Sequence, residues 1–141
     1  PLVIEETMKS IPIVSQCYLV GDDRKFCSAL ITLDMGVILR DYIGIDLNDI
    51  PKDPVKQNEL IISNNKKISD FTDNEDIFNF VSDEIEKLNQ KFSNPEQIKK
   101  FSILPRDFSI DEGELTPTLK IRRKQINDNW SEVISAMYSE L

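Results

Sequence analysis

One stretch of the sequence holds residues that could do chemistry at a defined reach: Gly113-Glu114-Leu115-Thr116-Pro117-Thr118-Leu119-Lys120-Ile121-Arg122-Arg123. A lysine is a compact, strongly hydrated positive charge with three donors on a flexible stem. At a phosphoryl or adenylyl transfer centre such a charge offsets the negative charge that builds in the transition state. The residues ahead of Lys120 suit that use. Gly113, with Asp111, Glu112 and Glu114 around it, predicts a turn or mobile loop. Pro117 narrows its own φ and disfavours helix at Thr116, so Thr116-Pro117-Thr118 predicts a stiff connector. A helix should then start just beyond Lys120. The commoner fate of a basic run such as 120–124 is a solvated surface. Yet cations in a first helical turn oppose the helix dipole, a mild conflict that points to a use for them.

The rest of the composition mostly removes options. The 141 residues include no histidine, two cysteines (Cys17 and Cys27) and four glycines. Without histidine there is no Ser-His-Asp or Cys-His nucleophile pair, and no zinc site of the usual Cys/His kind; no metal ligands are expected. Gly21, Gly36, Gly44 and Gly113 never approach the spacing of a glycine-rich phosphate cradle. Most of any active site that includes this chain should therefore lie elsewhere. The net charge is -8, concentrated at residues 41–97 with 13 acidic and 6 basic side chains. Residues 98–124 reverse the balance, with 7 basic and 4 acidic. Overall acidity argues against nucleic acid as a partner, because phosphate binding needs broad positive surface. No apolar run approaches the roughly 20 residues of a membrane span. The first residue is proline rather than methionine, which suggests a fragment or a processed chain.

The elements that must position Lys120 follow from hydrophobic period. Ile4, Met8 and Ile11 predict a short helix ending before Pro12. Residues 13–20 and 26–33 are β-rich runs on either side of a Gly/Asp turn, which predicts an antiparallel hairpin. The two cysteines flank it and could face each other across it. In residues 34–74, helical pieces begin at Val37 and Val55, and Pro51 and Pro54 interrupt them. This acidic middle reads as helices and loops on the surface. Asn74 or Asp73 caps a helix with Ile77, Phe80, Val81, Ile85, Leu88 and Phe92 on one stripe. Residues 98–104 predict a strand, and 108–110 a second short extended piece. Ile126, Trp130, Val133, Ile134, Met137 and Tyr138 predict one closing amphipathic helix. The sum is a single α+β domain over 1–141, with a small, mostly antiparallel sheet flanked by helices.

The run around Lys120 resembles the C-terminal motif of AMP-forming long-chain fatty acyl-CoA synthetases, in the bubblegum-type subgroup of the adenylate-forming superfamily. Pro-Leu-Val-Ile-Glu-Glu-Thr-Met at 1–8 is similar to the segment after that family's hinge. The pair of runs around Val20-Gly21-Asp22-Asp23-Arg24-Lys25-Phe26, and Phe-Ser-Ile-Leu-Pro-Arg-Asp-Phe-Ser-Ile at 101–110, also fit. The resemblance implies a small C-terminal lid that swings about a hinge against a large N-terminal domain, with hinge and large domain absent here. It implies that a fatty acid and ATP, with Mg2+, form an acyl-adenylate, and that coenzyme A then displaces AMP. Lys120 takes the place of the lysine that bridges the fatty-acid carboxylate and the nucleotide. Gly113, Glu114, Leu115, Thr116, Pro117 and Thr118 would shape its loop. Arg122 and Arg123 match the family's basic positions and become candidate nucleotide or coenzyme A contacts. A cytoplasmic setting follows, with peripheral association at membranes because the substrates are fatty acids. The competing reading is a non-enzymatic acidic α+β interaction domain, its acidic middle docking a basic partner.

Overall fold

The β-rich runs form the expected hairpin, and the rest of the chain is built on it. In the computed structural model, which describes residues 2–139, the order is α1 (Leu2–Met8), β1 (Val14–Val20) and β2 (Cys27–Leu33). Next come α2 (Met35–Val37, widening into a π-helix over Ile38–Ile43), α3 (Pro54–Ser63), α4 (Ser69–Thr72) and α5 (Glu75–Asn89). The chain ends with β3 (Ile98–Ile103), α6 (Arg123–Asn129) and α7 (Ser131–Tyr138).

The α+β class and the N-terminal hairpin hold, but the sheet is mixed. β1 and β2 pair antiparallel, with Cys17 opposite Ile31. β3 joins the other edge of β2 in parallel, with Ala29 opposite Phe101. A parallel neighbour needs a long crossover, and residues 34–97 supply it. β2 is thus the central strand, covered on both faces, so every residue from Ser28 to Leu33 is buried, the polar Ser28 and Thr32 included. The cysteines do not face each other. Cys17 is buried opposite Ile31, whereas Cys27 opens β2 with its Sγ 3.5 Å from the Pro95 carbonyl. Both thiols are free, and burial pushes that of Cys17 well above its usual range.

Side chains alternate across the strands, so the sheet divides the interior in two. On one side Cys17, Ala29, Ile31 and Leu33 meet Met8, Ile38, Leu39, Ile61, Val81 and Ile85. On the other, Tyr18, Val20 and Leu30 meet Leu104, Phe108, Leu115, Ile126, Ile134 and Met137. The acidic middle is therefore not merely surface. Its charged residues face water, while Ile38, Leu39, Ile61 and Phe71 complete the first core.

Local chemistry fixes the ends of these helices. The Asn74 side chain accepts from the Ile77 amide at 3.0 Å, as a cap should. At the far end of α5, Asn89 bonds both the amide and the carbonyl of Ile98, each at 3.0 Å, and so sets where β3 begins. Phe80, expected on the buried stripe, is 39% exposed. Residues 108–110 make no strand; Phe108 is buried in the second core and the chain turns. The closing helix is two helices, broken at Trp130, whose φ is -115°.

Candidate functional site

Lys120 sits on a small hairpin that the turn residues close. Leu115 and Ile121 pair antiparallel. At the root, the Arg122 amide donates to the Glu114 carbonyl at 2.8 Å. At the tip, the Thr116 amide donates to the Lys120 carbonyl at 2.8 Å, and the Lys120 amide returns a bond to Thr116 Oγ1 at 3.0 Å. The Leu119 amide donates to the Thr116 carbonyl at 2.8 Å, closing a turn with Pro117 at its second position. Leu119 follows in the left-handed region at φ 66°, the position that three-residue hairpin loops ordinarily give to glycine. The Thr116 and Thr118 hydroxyls lie 3.1 Å apart and share a hydrogen bond. Thr116-Pro117-Thr118 is thus the stiff connector expected, and Lys120 projects from it, exposed. Among the described residues no ion pair engages the Lys120 side chain.

Of the turn or mobile loop expected at 111–114, the structure shows the turn, tied down by hydrogen bonds. Gly113 takes φ 74°, and a Cβ there would come within 3.1 Å of Gln125. The amide of Gly113 donates to the Ile110 carbonyl, and that of Glu114 to the Ser109 carbonyl. Glu114 itself is fully buried, a placement its acidic neighbours in the sequence did not foretell. Its Oε1 accepts from Arg106 Nη1 at 2.7 Å and from the Ser109 amide at 3.1 Å. Its Oε2 accepts from Arg106 Nη2 at 2.9 Å, Trp130 Nε1 at 2.8 Å and Asn129 Nδ2 at 3.1 Å. Burial alone would raise the Glu114 pKa; the donors from Arg106, Asn129, Ser109 and Trp130 outweigh it and leave it below the ordinary value. The Arg106 guanidinium also stacks 4.8 Å from the centre of the Trp130 ring. Sequence reasoning passed over Arg106 and counted Trp130 only as core. The available hint was the indole N–H, which needs a partner once buried.

The basic run divides by role. Arg123 forks onto Glu5, a 97%-buried carboxylate of α1, and lies over the Tyr18 ring at 5.3 Å. The Glu5 carboxylate also accepts from the Leu19 amide at 2.7 Å. Arg123 thereby ties α6 to α1 and β1. Lys124 meets Asp128 one turn on, an exposed pair of little consequence. Arg122 is exposed ahead of α6. A cleft of about 610 Å³ beside the Arg123 pair is lined by Tyr18, Arg24, Cys27, Glu96 and Asn127 among others, and does not reach Lys120. No group of three His, Cys, Asp or Glu side chains able to hold a metal occurs among the described residues.

Lys120 thus stands exposed on a hydrogen-bonded hairpin, outside the cleft beside Arg123. The family model of the AMP-binding enzyme C-terminal domain matches residues 55–141, the whole of this hairpin included. The chain belongs to that family. The C-terminal domain is 32% identical over 146 residues to the long-chain-fatty-acid–CoA ligase FadD15 of Mycobacterium tuberculosis, covering 99% of this chain and 21% of the relative. It is 31% identical over 144 residues to the long-chain-fatty-acid–CoA ligase ACSBG1 of Rattus norvegicus, covering 99% and 20%. The chain thus spans about a fifth of the length of these relatives. Its fold matches part of the A-PCP didomain of carboxylic acid reductase from Segniliparus rugosus, solved with AMP. There the TM-score is 0.63 at 18% identity, over 99% of this chain and 16% of that one. No helix of the described residues is long and apolar enough to cross a membrane.

Proposed function

We propose that this domain is the lid of an AMP-forming long-chain fatty-acid–CoA ligase and that Lys120 serves the adenylation step. The observation that carries the reading is Lys120 itself: an exposed cation with no ion pair among the described residues, held on a hydrogen-bonded hairpin, within a domain whose relatives are long-chain-fatty-acid–CoA ligases. In the first half-reaction the fatty-acid carboxylate attacks the α-phosphorus of ATP, giving the acyl-adenylate and releasing pyrophosphate. The Lys120 ammonium bridges the attacking carboxylate and the nucleotide. It brings two anions together and offsets the charge that builds between them. In the second half-reaction the thiol of coenzyme A attacks the acyl carbonyl and AMP leaves. The lid rotates between the two, so Lys120 acts in the first and withdraws for the second.

MgATP, fatty acid and coenzyme A bind mainly to the large N-terminal domain, which is the partner of this one. Arg122, exposed next to the hairpin, is the candidate contact for a phosphate of the nucleotide or of coenzyme A; Arg123 is already engaged by Glu5. Peripheral association with membranes in a cytoplasmic enzyme fits substrates of this class. The non-enzymatic reading is disfavoured because the relatives that match 99% of this chain are long-chain-fatty-acid–CoA ligases.

Lys120→Ala in the full-length enzyme tests the assignment. Acyl-adenylate formation should fall on the order of 10²–10³-fold, as for loss of one group aimed at developing charge. Transfer from preformed acyl-adenylate to coenzyme A should persist. Equal loss of both half-reactions in a folded variant would remove Lys120 from this role.

A further inference from the structure

We propose that Arg106, Glu114 and Trp130 form a positioning clamp that aims Lys120, an inference that rests on the adenylation role given to Lys120 above. The hairpin does not hold its direction by local preference alone. Its tip contains Leu119 in the left-handed region, 62% exposed, so little packing there offsets the strained backbone. Its root is a different matter. Glu114 is both a root residue, through its carbonyl bond to Arg122, and the acceptor of five hydrogen bonds from outside the hairpin. Those donors come from three places: the loop after β3 (Arg106 and Ser109), the end of α6 (Asn129) and the α6–α7 break (Trp130). The break at Trp130 turns its indole N–H onto the carboxylate, and Arg106 is held between the ring and both carboxylate oxygens. A forked arginine–carboxylate pair fixes orientation as well as distance.

The geometry gives this clamp leverage. From the root pair Glu114/Arg122 to the tip pair Thr116/Lys120 is two residues of strand, about 7 Å. A tilt of about 10° at the root therefore moves the tip by roughly 1 Å, a misplacement that can cost about 10²-fold in rate. The clamp makes the hairpin part of the domain's rigid body, so that a swing of the whole domain delivers Lys120 on target. These residues touch no substrate; they act through Lys120.

The test measures both half-reactions in the full-length enzyme. Glu114→Gln keeps the shape but turns an amide donor toward groups that are themselves donors. Arg106→Lys keeps the charge and loses the fork. Each should lower acyl-adenylate formation by about 10–100-fold while transfer from preformed acyl-adenylate stays within about twofold. Trp130→Phe keeps the ring under Arg106 and removes one donor; it should show the same selectivity with a smaller loss, and serves if the other two fail to fold. In Glu114→Gln/Lys120→Ala, adenylation should be no slower than in Lys120→Ala alone, since the clamp has nothing left to aim. Multiplicative losses in that double variant would overturn the clamp, as would equal loss of both half-reactions in folded single variants. If Lys120→Ala cripples adenylation and the clamp variants do not, the clamp alone falls. If Lys120→Ala leaves adenylation intact, the assignment beneath it falls first.

Discussion

The two faces of the sheet are held by different physics. The face that carries α1, α2, α3 and α5 is an apolar stack in which Met8, Leu39, Ile61 and Val81 are wholly shielded from water. The face that carries the hairpin, α6 and α7 has a smaller apolar cluster and is held by two forked arginine–carboxylate pairs: Arg106 on Glu114 within it, and Arg123 of α6 on Glu5, which reaches across from α1. Apolar burial is strong but indifferent to direction. Buried pairs contribute little net stability, yet they fail badly when one partner is missing and they fix orientation. The first face keeps the domain folded, and the second decides where its one exposed catalytic candidate points.

That contrast can be broken first on the apolar face. Leu39→Ala removes a fully buried side chain from the joint between α2 and the sheet and should cost about 2–5 kcal/mol. Urea unfolding of the domain would show it as a lower midpoint at unchanged slope. Where α1 meets the polar face, Glu5→Gln weakens the Arg123 fork and the bond from the Leu19 amide. Because Arg123 is 45% exposed, the loss should be smaller, about 1–2 kcal/mol in the same experiment.

Acid sharpens the contrast further. Glu114 has a folded-state pKa below its unfolded value, so its contribution is present above the unfolded value and is lost as pH falls through the folded one. Asp107 runs the other way. Burial raises its pKa despite donors from Ser15, Thr32 and the Phe108 amide, so its contribution is present below the unfolded value and is lost as pH rises through the folded one. Glu114→Gln should therefore be less stable than wild type near neutral pH and lose less on acidification. Denaturant midpoints across the range where carboxylates titrate check both signs. The smallest effect belongs to the tip. Leu119→Val puts a β-branched residue into the left-handed region and should cost about 1 kcal/mol, whereas Leu119→Gly should relieve strain at little net change. Thermal melts of the two variants should move apart in that order.

Much of this could be read from residue order. The hairpin, α5 with its Asn74 cap, β3 and the stiff Thr116-Pro117-Thr118 connector are written in local periodicity and turn chemistry, and the structure keeps them. What the sequence withheld is non-local. The parallel placement of β3 depends on a crossover of more than sixty residues (34–97), which no window of periodicity registers. The acidic middle looked like surface because its charges outnumber the few buried positions that matter, Ile38, Leu39 and Ile61. Most of all, an acidic residue beside glycine looks like a solvated turn. Only the convergence of Arg106, Asn129 and Trp130 makes Glu114 an anchor. Arg123 was hidden in the same way: a basic neighbour of Lys120 in sequence, it belongs in space to Glu5, 118 residues away.

The division of labour between the faces is tested most directly by the ratio of adenylation rate to transfer rate in the full-length enzyme, measured for Lys120→Ala beside Leu39→Ala. The account predicts that this ratio collapses by about 10² or more for Lys120→Ala and stays near wild type for Leu39→Ala, whose folded fraction alone should drop. An unchanged ratio in folded Lys120→Ala, or the same collapse in both variants, would contradict it.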